Sequence, residues 1–78
     1  MKKYHHITFN KEILGGKPII KGTRISIDMI LEWIASEAAI DQIHNSYPQL
    51  SVEAIKEAIL YATDHVRNEI LIEAKIAS

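Results

Sequence analysis

The sequence predicts a mainly helical domain, in which a three-helix core of the helix-turn-helix type carries a small N-terminal β-hairpin and a long C-terminal helix. Three observations predict this fold. Residues 16–27 hold two β-branched runs around a Lys-Gly pair, a pattern typical of a hairpin. Apolar residues then recur at helical spacing on both sides of Pro48. No Gly or Pro interrupts residues 51–78, which predicts one long final helix.

The chain of 78 residues predicts a single domain, 1–78, made of a basic hairpin region (1–27) and a helical region (28–78). It has no cysteine, so neither disulfides nor thiolate metal sites are expected. It has no apolar run of about 20 residues and no secretory signal. We therefore expect a soluble cytoplasmic protein with no membrane partner.

Charge divides the chain into two unlike parts. Residues 1–27 contain six basic residues and one acidic residue, a net +5, whereas residues 28–78 contain three basic and nine acidic residues, a net −6. This asymmetry indicates two surfaces with different partners. The alternative is that two solvated faces, or surfaces of neighbouring subunits, simply differ in charge.

The N-terminal region begins with an extended run, Tyr4 to Phe9, in which Ile7 and Phe9 lie on one side. A loop follows, and Pro18 then marks the start of a strand. Gly22 suits the positive φ of a tight turn. After the turn, Thr23, Ile25 and Ile27 alternate with Arg24 and Ser26, which predicts one apolar and one polar face. The hairpin is thus predicted to place its two arms on either side of the Lys-Gly turn.

The first helix is predicted to begin near Ser26 or Asp28, either of which can cap it. Trp33 lies outside its apolar stripe and is expected to cover the hairpin. The stripe consists of Ile27, Ile30, Leu31, Ile34, Ala35 and Ala38.

The second helix is short and the third is long. Pro48 ends the second helix, whose apolar positions are Ile40, Ile43 and Tyr47. Ser51 is the predicted N-cap of the third helix, with Glu53 in its first turn. The apolar stripe of the third helix comprises Ile55, Ala58, Ile59, Ala62, Val66 and Ile70.

The third helix is about 35–40 Å long if it continues nearly to the end, at ~1.5 Å per residue. The first two helices are too short to cover it. Apolar residues beyond Asp64 surround its axis, which predicts an interface and a homo-oligomer. The alternative is a frayed C-terminus. The candidate interface residues are Val66, Ile70, Leu71, Ile72 and Ile76.

DNA is the second partner that the sequence suggests. The helix after the turn offers Ser51 and Lys56 but also Glu53 and Glu57, a poor combination for reading a DNA groove. The hairpin is the better candidate, because its cations and turn amides can contact phosphates. Its candidate residues are Lys17, Lys21, Gly22, Thr23 and Arg24.

Two structural alternatives stay open. The three helices can serve packing alone. Arg24 can form a salt bridge to Asp28 or Glu32 instead of contacting a ligand. The four histidines show no metal-ligand spacing, and neither a catalytic triad nor a phosphate loop is present. No enzymatic activity, metal or cofactor is therefore expected.

Three ordered motifs resemble one family, that of the domain of unknown function 433. Residues 16–25 read GKPIIKGTRI, residues 47–51 read YPQLS and residues 58–62 read AILYA. They are similar to that family's GGKPVIRGTRIPV, YP-x-L-[ST] and AL-x-YA elements, and the resemblance covers about residues 5–64. It implies a helix-turn-helix-like domain with an N-terminal β element. Family members are regarded as antitoxin-like and are often encoded beside a PIN-like ribonuclease.

The chain departs from this family pattern between its first two helices. Glu37 stands where the family has a helix-ending Gly, and Ala39 stands where it has a capping Ser. The departure predicts that the two helices merge or that their turn is distorted.

The function that these observations favour is an antitoxin-like small regulator. It would bind a PIN-like toxin protein and itself through the third helix, and promoter DNA through the basic region. The alternative is a homo-oligomeric interaction module with no nucleic-acid role.

Overall fold

The computed structural model describes residues 4–77, with side chains for residues 4–66. It confirms a mainly helical domain with a small antiparallel sheet near its N-terminus. The elements in order are β1 (Ile7–Phe9), a short 3-10 turn (Leu14–Gly16), β2 (Pro18–Ile20), α1 (Ile27–Ala35), α2 (Ile40–Ser46) and α3 (Val52–Ala77).

The sheet pairs different segments from those predicted. β1 runs antiparallel to β2, with Thr8 opposite Ile19, and the second predicted arm contributes only an isolated bridge between Ile19 and Ser26. The predicted hairpin is therefore present in part: the Ile20 N–H donates to the Ile25 carbonyl at 2.9 Å across the turn, but the full strand partner of β2 is β1. The reason is that the Ser26 hydroxyl accepts the Met29 N–H at 3.1 Å, so the chain enters α1 where a strand would have continued.

The tight turn at residues 20–23 is present. The Thr23 N–H donates to the Ile20 carbonyl at 3.0 Å, and Gly22 at the third position has a φ of 81°. A positive φ at that position is the mark of a type II turn and favours glycine.

The core lies over the N-terminal half of α3, against which α1, α2 and β1 pack. Fully buried side chains come from β2, α1, the α2–α3 connection and α3. In the sheet, β1 buries Ile7, and β2 buries both Ile19 and Ile20. α3 has 26 residues, about 39 Å at ~1.5 Å per residue, which is far longer than the helices beside it. No described helix is long and apolar enough to cross a membrane. The innermost residues are Ile30, Leu50, Ile55 and Ala58.

Trp33 does not cover the sheet, as the sequence had suggested. Its ring stacks on Tyr47, with the centroids 4.7 Å apart and the planes inclined by 8°. Trp33 therefore packs where α1 meets the end of α2. The sheet instead packs against other parts of α1 and against α3.

The helices α1 and α2 are separate, so the predicted merging was wrong. The Ala38 N–H donates to Trp33 O at 3.0 Å and the Glu37 N–H to Ile34 O at 2.9 Å, which is the Schellman pattern. Glu37 has a φ of 71°, the left-handed conformation that the pattern requires and that favours glycine. The distortion is thus confined to the backbone of a single residue.

The start of α2 lacks a side-chain cap, because Ala39 has no polar group. The Ala39 N–H instead donates to the Gln42 side-chain oxygen at 2.7 Å. This is one half of a capping box, and it satisfies one donor at this helix end.

We predict that Glu37→Gly stabilises the protein. Relieving the left-handed backbone should gain about 1 kcal/mol after the extra entropy of an unfolded glycine is subtracted. The Tm should rise by roughly 4–8 °C, measured by thermal denaturation.

Glu32→Gly is the matched control, since Glu32 is exposed within α1 and a helix-interior glycine costs about 1 kcal/mol. The two variants should move the Tm in opposite directions. A similar fall in the Tm of both variants would show that the backbone at residue 37 is not strained.

Candidate functional site

The basic turn, residues 21–24, is fixed by hydrogen bonds on both sides. The Lys21 N–H donates to the His6 carbonyl at 2.7 Å. The Thr23 hydroxyl donates to Ile20 O at 2.8 Å and accepts the Ile25 N–H at 3.0 Å. Thr23 therefore holds the turn in shape, while the side chains of Lys21 and Arg24 are exposed.

A groove of about 470 Å³ lies between this turn and the end of β1, and we call it the Phe9–Arg24 groove. Phe9 is 60% exposed, although the sequence had placed it on the same side as the buried Ile7. The strand ends at Phe9, and the ring extends beyond the core. The lining residues are Thr8, Phe9, Asn10, Ile13, Ile19, Gly22, Thr23 and Arg24.

Arg24 forms no ion pair with any carboxylate of the described residues. The predicted alternative, a salt bridge to Asp28 or Glu32, is absent. Lys17 instead places its Nζ atom 3.4 Å from Asp28 Oδ2, and both of these side chains are exposed. The Arg24 guanidinium is thus available to a ligand.

The remaining predicted DNA contacts are dispersed. Lys17 lies beside Asp28, away from the Phe9–Arg24 groove. The Ser51 hydroxyl accepts the Ala54 N–H at 3.0 Å and so caps α3 as predicted. Lys56 is exposed on α3. The structure therefore brings together Gly22, Thr23 and Arg24 around one groove.

A helix that reads a DNA groove would expose the Glu57 side chain to solvent, but on α3 this side chain is largely buried. Its side chain is 12% exposed, and its carboxylate accepts the His6 backbone N–H at 2.9 Å and the His6 Nδ1–H at 2.5 Å. Burial alone would raise the pKa of Glu57, but these hydrogen bonds outweigh it and lower the pKa. The pair attaches the start of β1 to α3.

Tyr4 makes a second attachment to α3. Its hydroxyl donates to Asp64 Oδ2 at 2.5 Å, which raises the pKa of Tyr4 to about 12. The Tyr4 ring also meets Tyr61 edge to face, with the centroids 5.1 Å apart. Burial raises the pKa of Tyr61.

An apolar groove runs between α1 and α3, and we call it the α1–α3 groove. One part, of about 300 Å³, is lined by Leu31, Ile59, Ala62, Thr63 and Val66. A neighbouring part of about 380 Å³ shares Leu31 and Ala62 and reaches Pro18 and two polar residues, Asp28 and His65. Val66, a predicted interface residue, is 54% exposed at one wall.

The other predicted interface positions, Ile70, Leu71, Ile72 and Ile76, lie outside the described side chains. The sequence did not predict that Phe9, Leu31 and Ile59 line grooves at the surface. Phe9 is the chain's one phenylalanine and stands at the end of a three-residue strand. The signal in the sequence was the place of Phe9 directly before the predicted loop, but its alternation with Ile7 favoured a buried side chain.

Two of the comparisons with known proteins name the same family. The family model described as Protein of unknown function (DUF433) matches residues 7–62. An uncharacterized protein of Sinorhizobium fredii, y4eO, is 30% identical over 56 residues, which are 72% of this chain and 25% of that protein. The chain thus spans a quarter of the length of that relative.

A solved structure has a similar fold. The crystal structure of a DUF433 member protein from Anabaena variabilis superimposes with a TM-score of 0.71 at 25% sequence identity. The match covers 94% of this chain and 69% of the other.

We predict that Glu57 contributes to stability in a pH-dependent way. Its pKa is lower in the folded protein than in the unfolded chain, so its contribution is present above the unfolded value and is lost as the pH falls through the folded value. Glu57→Gln should cost about 1–2 kcal/mol at pH 7 and flatten the stability profile below about pH 4.5.

The control is Glu53→Gln, one turn earlier on α3, where the carboxylate is exposed. Chemical denaturation of both variants between pH 3 and pH 7 makes the comparison. Equal pH profiles for the two variants would rule out the attachment through His6 as a source of stability.

Proposed function

The chain belongs to the DUF433 family, and we propose that it acts as a small antitoxin-like regulator that binds a PIN-like toxin protein and a second copy of itself. The antitoxin role is what the family resemblance implies. In this proposal the chain catalyses no reaction, and it acts in the cytoplasm by occupying its partners.

The observation that carries the proposal is the α1–α3 groove. The part that Val66 and Leu31 share has almost wholly apolar walls. Fully burying a Leu, Val or Ile side chain is worth roughly 1.5–3 kcal/mol. A domain this small has little core to spare, so a partner that fills the groove would add substantially to its stability.

The length of α3 supports a helical partner. α3 continues to Ala77, beyond Val66, and the sequence after Val66 is rich in apolar residues at 70, 71, 72 and 76. A second α3 laid along the first would extend the same surface. A toxin helix would replace it, since both would present an apolar face.

The alternative role is a homo-oligomeric interaction module with no nucleic-acid function. It uses the same groove and the same self-association. The two roles differ in their partners other than the chain itself. Only the regulator neutralises a toxin and binds its own promoter.

We predict that Val66→Asp weakens both associations. Placing a charge on the groove wall opposes its burial against an apolar partner. Light scattering at micromolar concentration should report a dimer or larger species for the parent chain and a monomer for the variant. The proposal requires a PIN-like gene beside this one. Its product should arrest growth in cells, and the parent chain should restore growth better than Val66→Asp.

Leu60→Asp is the matched control, since Leu60 is 43% exposed on α3 and lies outside the α1–α3 groove. It should leave both associations unchanged. A parent chain that stays monomeric and restores no growth would refute the proposal. A dimer that restores no growth would instead favour the interaction module.

We also propose promoter DNA as a third partner, supported by the exposed Lys21 and Arg24 side chains. The withdrawal of Glu57 into its pair with His6 removes one acidic group from the solvent face of α3. Ser51 and Lys56 at the start of α3 stay weaker candidates, because the hydroxyl of Ser51 already caps the helix.

We predict that binding of the gene's own promoter falls steeply with salt, as phosphate contacts release counterions. The Lys21→Gln/Arg24→Gln double variant should reduce the slope of log K against log salt by about two. Lys17→Gln removes one cation that is paired with Asp28 and should change the slope less. Mobility shifts at several salt concentrations measure this, and equal slopes in all three proteins would exclude the basic turn.

A further inference from the structure

We propose that the Phe9–Arg24 groove binds one unpaired nucleotide of a single-stranded nucleic acid. The base stacks on the Phe9 ring, and its phosphate lies against Arg24 and the Gly22 N–H. The inference uses the turn of the proposed promoter contact but depends on Phe9, which a contact to duplex phosphates does not need.

Phe9 provides the stacking surface. Its ring is 60% exposed, and it stacks on no other aromatic ring among the described residues, whereas Tyr4, Trp33, Tyr47 and Tyr61 all have ring partners. Proteins that bind single strands stack bases on such exposed rings, and the contact tolerates any base because each has a π face.

The other side of the groove suits a phosphate. Among the described residues, Arg24 has no ion-pair partner and the Gly22 N–H has no hydrogen-bond acceptor. Apart from its two chain neighbours, no described residue has an atom within 4 Å of the position that a Cβ on Gly22 would occupy, so a ligand can approach this backbone. A guanidinium with a nearby backbone N–H is a common phosphate contact, and the exposed Lys21 adds positive charge.

Asn10 provides polar recognition between these two ends. Its side-chain oxygen accepts the Glu12 N–H at 2.9 Å, which leaves its amide N–H groups without an acceptor among the described residues. Asn10 lines the same groove as Phe9. It can therefore donate to an acceptor on the edge of a stacked base.

Size and shape favour a single strand over a duplex. The groove volume of about 470 Å³ falls within the range of roughly 300–1,000 Å³ of small-ligand sites, which is enough for one nucleotide. A paired base is stacked between its neighbours inside a duplex, so a protein ring reaches its face only by forcing the base step apart, which costs stacking energy. An unpaired base can occupy the groove, with its phosphate against Arg24, without that cost.

The test uses fluorescein-labelled eight-nucleotide RNA and DNA of one mixed sequence, together with the matching duplex. Fluorescence anisotropy of the full chain should show tighter binding of at least one single strand than of the duplex. Phe9→Ala should weaken that binding about tenfold or more, and Phe9→Tyr should retain it because the ring stays. Arg24→Gln should lower the salt slope by about 0.7.

The control is Leu14→Ala, because Leu14 is an exposed apolar residue of the same basic region outside the Phe9–Arg24 groove. It should bind like the parent chain. Thermal denaturation of each variant confirms that folding is intact, as expected for exposed side chains. The comparison of RNA with DNA then identifies which single strand is the ligand.

Three results would overturn the inference: no single-strand binding by the parent chain, equal affinity for single strand and duplex, or no effect of Phe9→Ala. Phe9-dependent binding of polyglutamate would also overturn it, since the groove would then be a site for acidic peptides. A steep salt dependence on promoter duplex with no Phe9 effect would leave the promoter contact standing and remove the inference alone.

Discussion

The burial of one face of α3 is the constraint on which the rest of the structure depends. Ala54, Ile55 and Ala58 are almost fully buried, and α1, α2 and β1 all pack on this helix. The side chains of the two alanines are small, which allows the neighbouring elements to approach α3 closely on either side of Ile55. Because those elements are short, they cover the first turns of α3 and leave the α1–α3 groove open where coverage ends. The core and the proposed protein-binding surface are therefore successive parts of one helix.

The attachment of the N-terminal strand to α3 connects the fold to the basic turn. His6 binds Glu57 through its backbone and its ring, and its carbonyl accepts the Lys21 N–H. The same residue thus joins α3 to the turn that carries Arg24. This arrangement also withdraws the carboxylate of Glu57 from the solvent face of α3. The pairing of His6 with Glu57 therefore both attaches β1 to α3 and reduces the negative charge that α3 exposes to solvent.

Much of the fold could be predicted because its signals are local. Ser26 and Ser51 cap α1 and α3 as their sequence context indicated, and Pro48 ends α2. The strand pairing could not be predicted, since it depends on which segment meets β2 across a loop. Glu37 shows the same limit, because hydrogen bonds at the end of α1 hold a non-glycine residue in the left-handed conformation. At the site, the turn was predicted but its neighbour Phe9 was not, since alternation alone cannot show where a core ends.

The most direct test of this account is the melting temperature of a chain ending after His65, compared with the full chain over a wide range of concentration. If the core is complete in the N-terminal half of α3, the shortened chain folds and melts near the temperature of the dilute full chain. Its Tm should also lose the rise with concentration that self-association gives the full chain. A shortened chain that fails to fold, or one that keeps that rise, would contradict the division of α3 into a core half and a binding half.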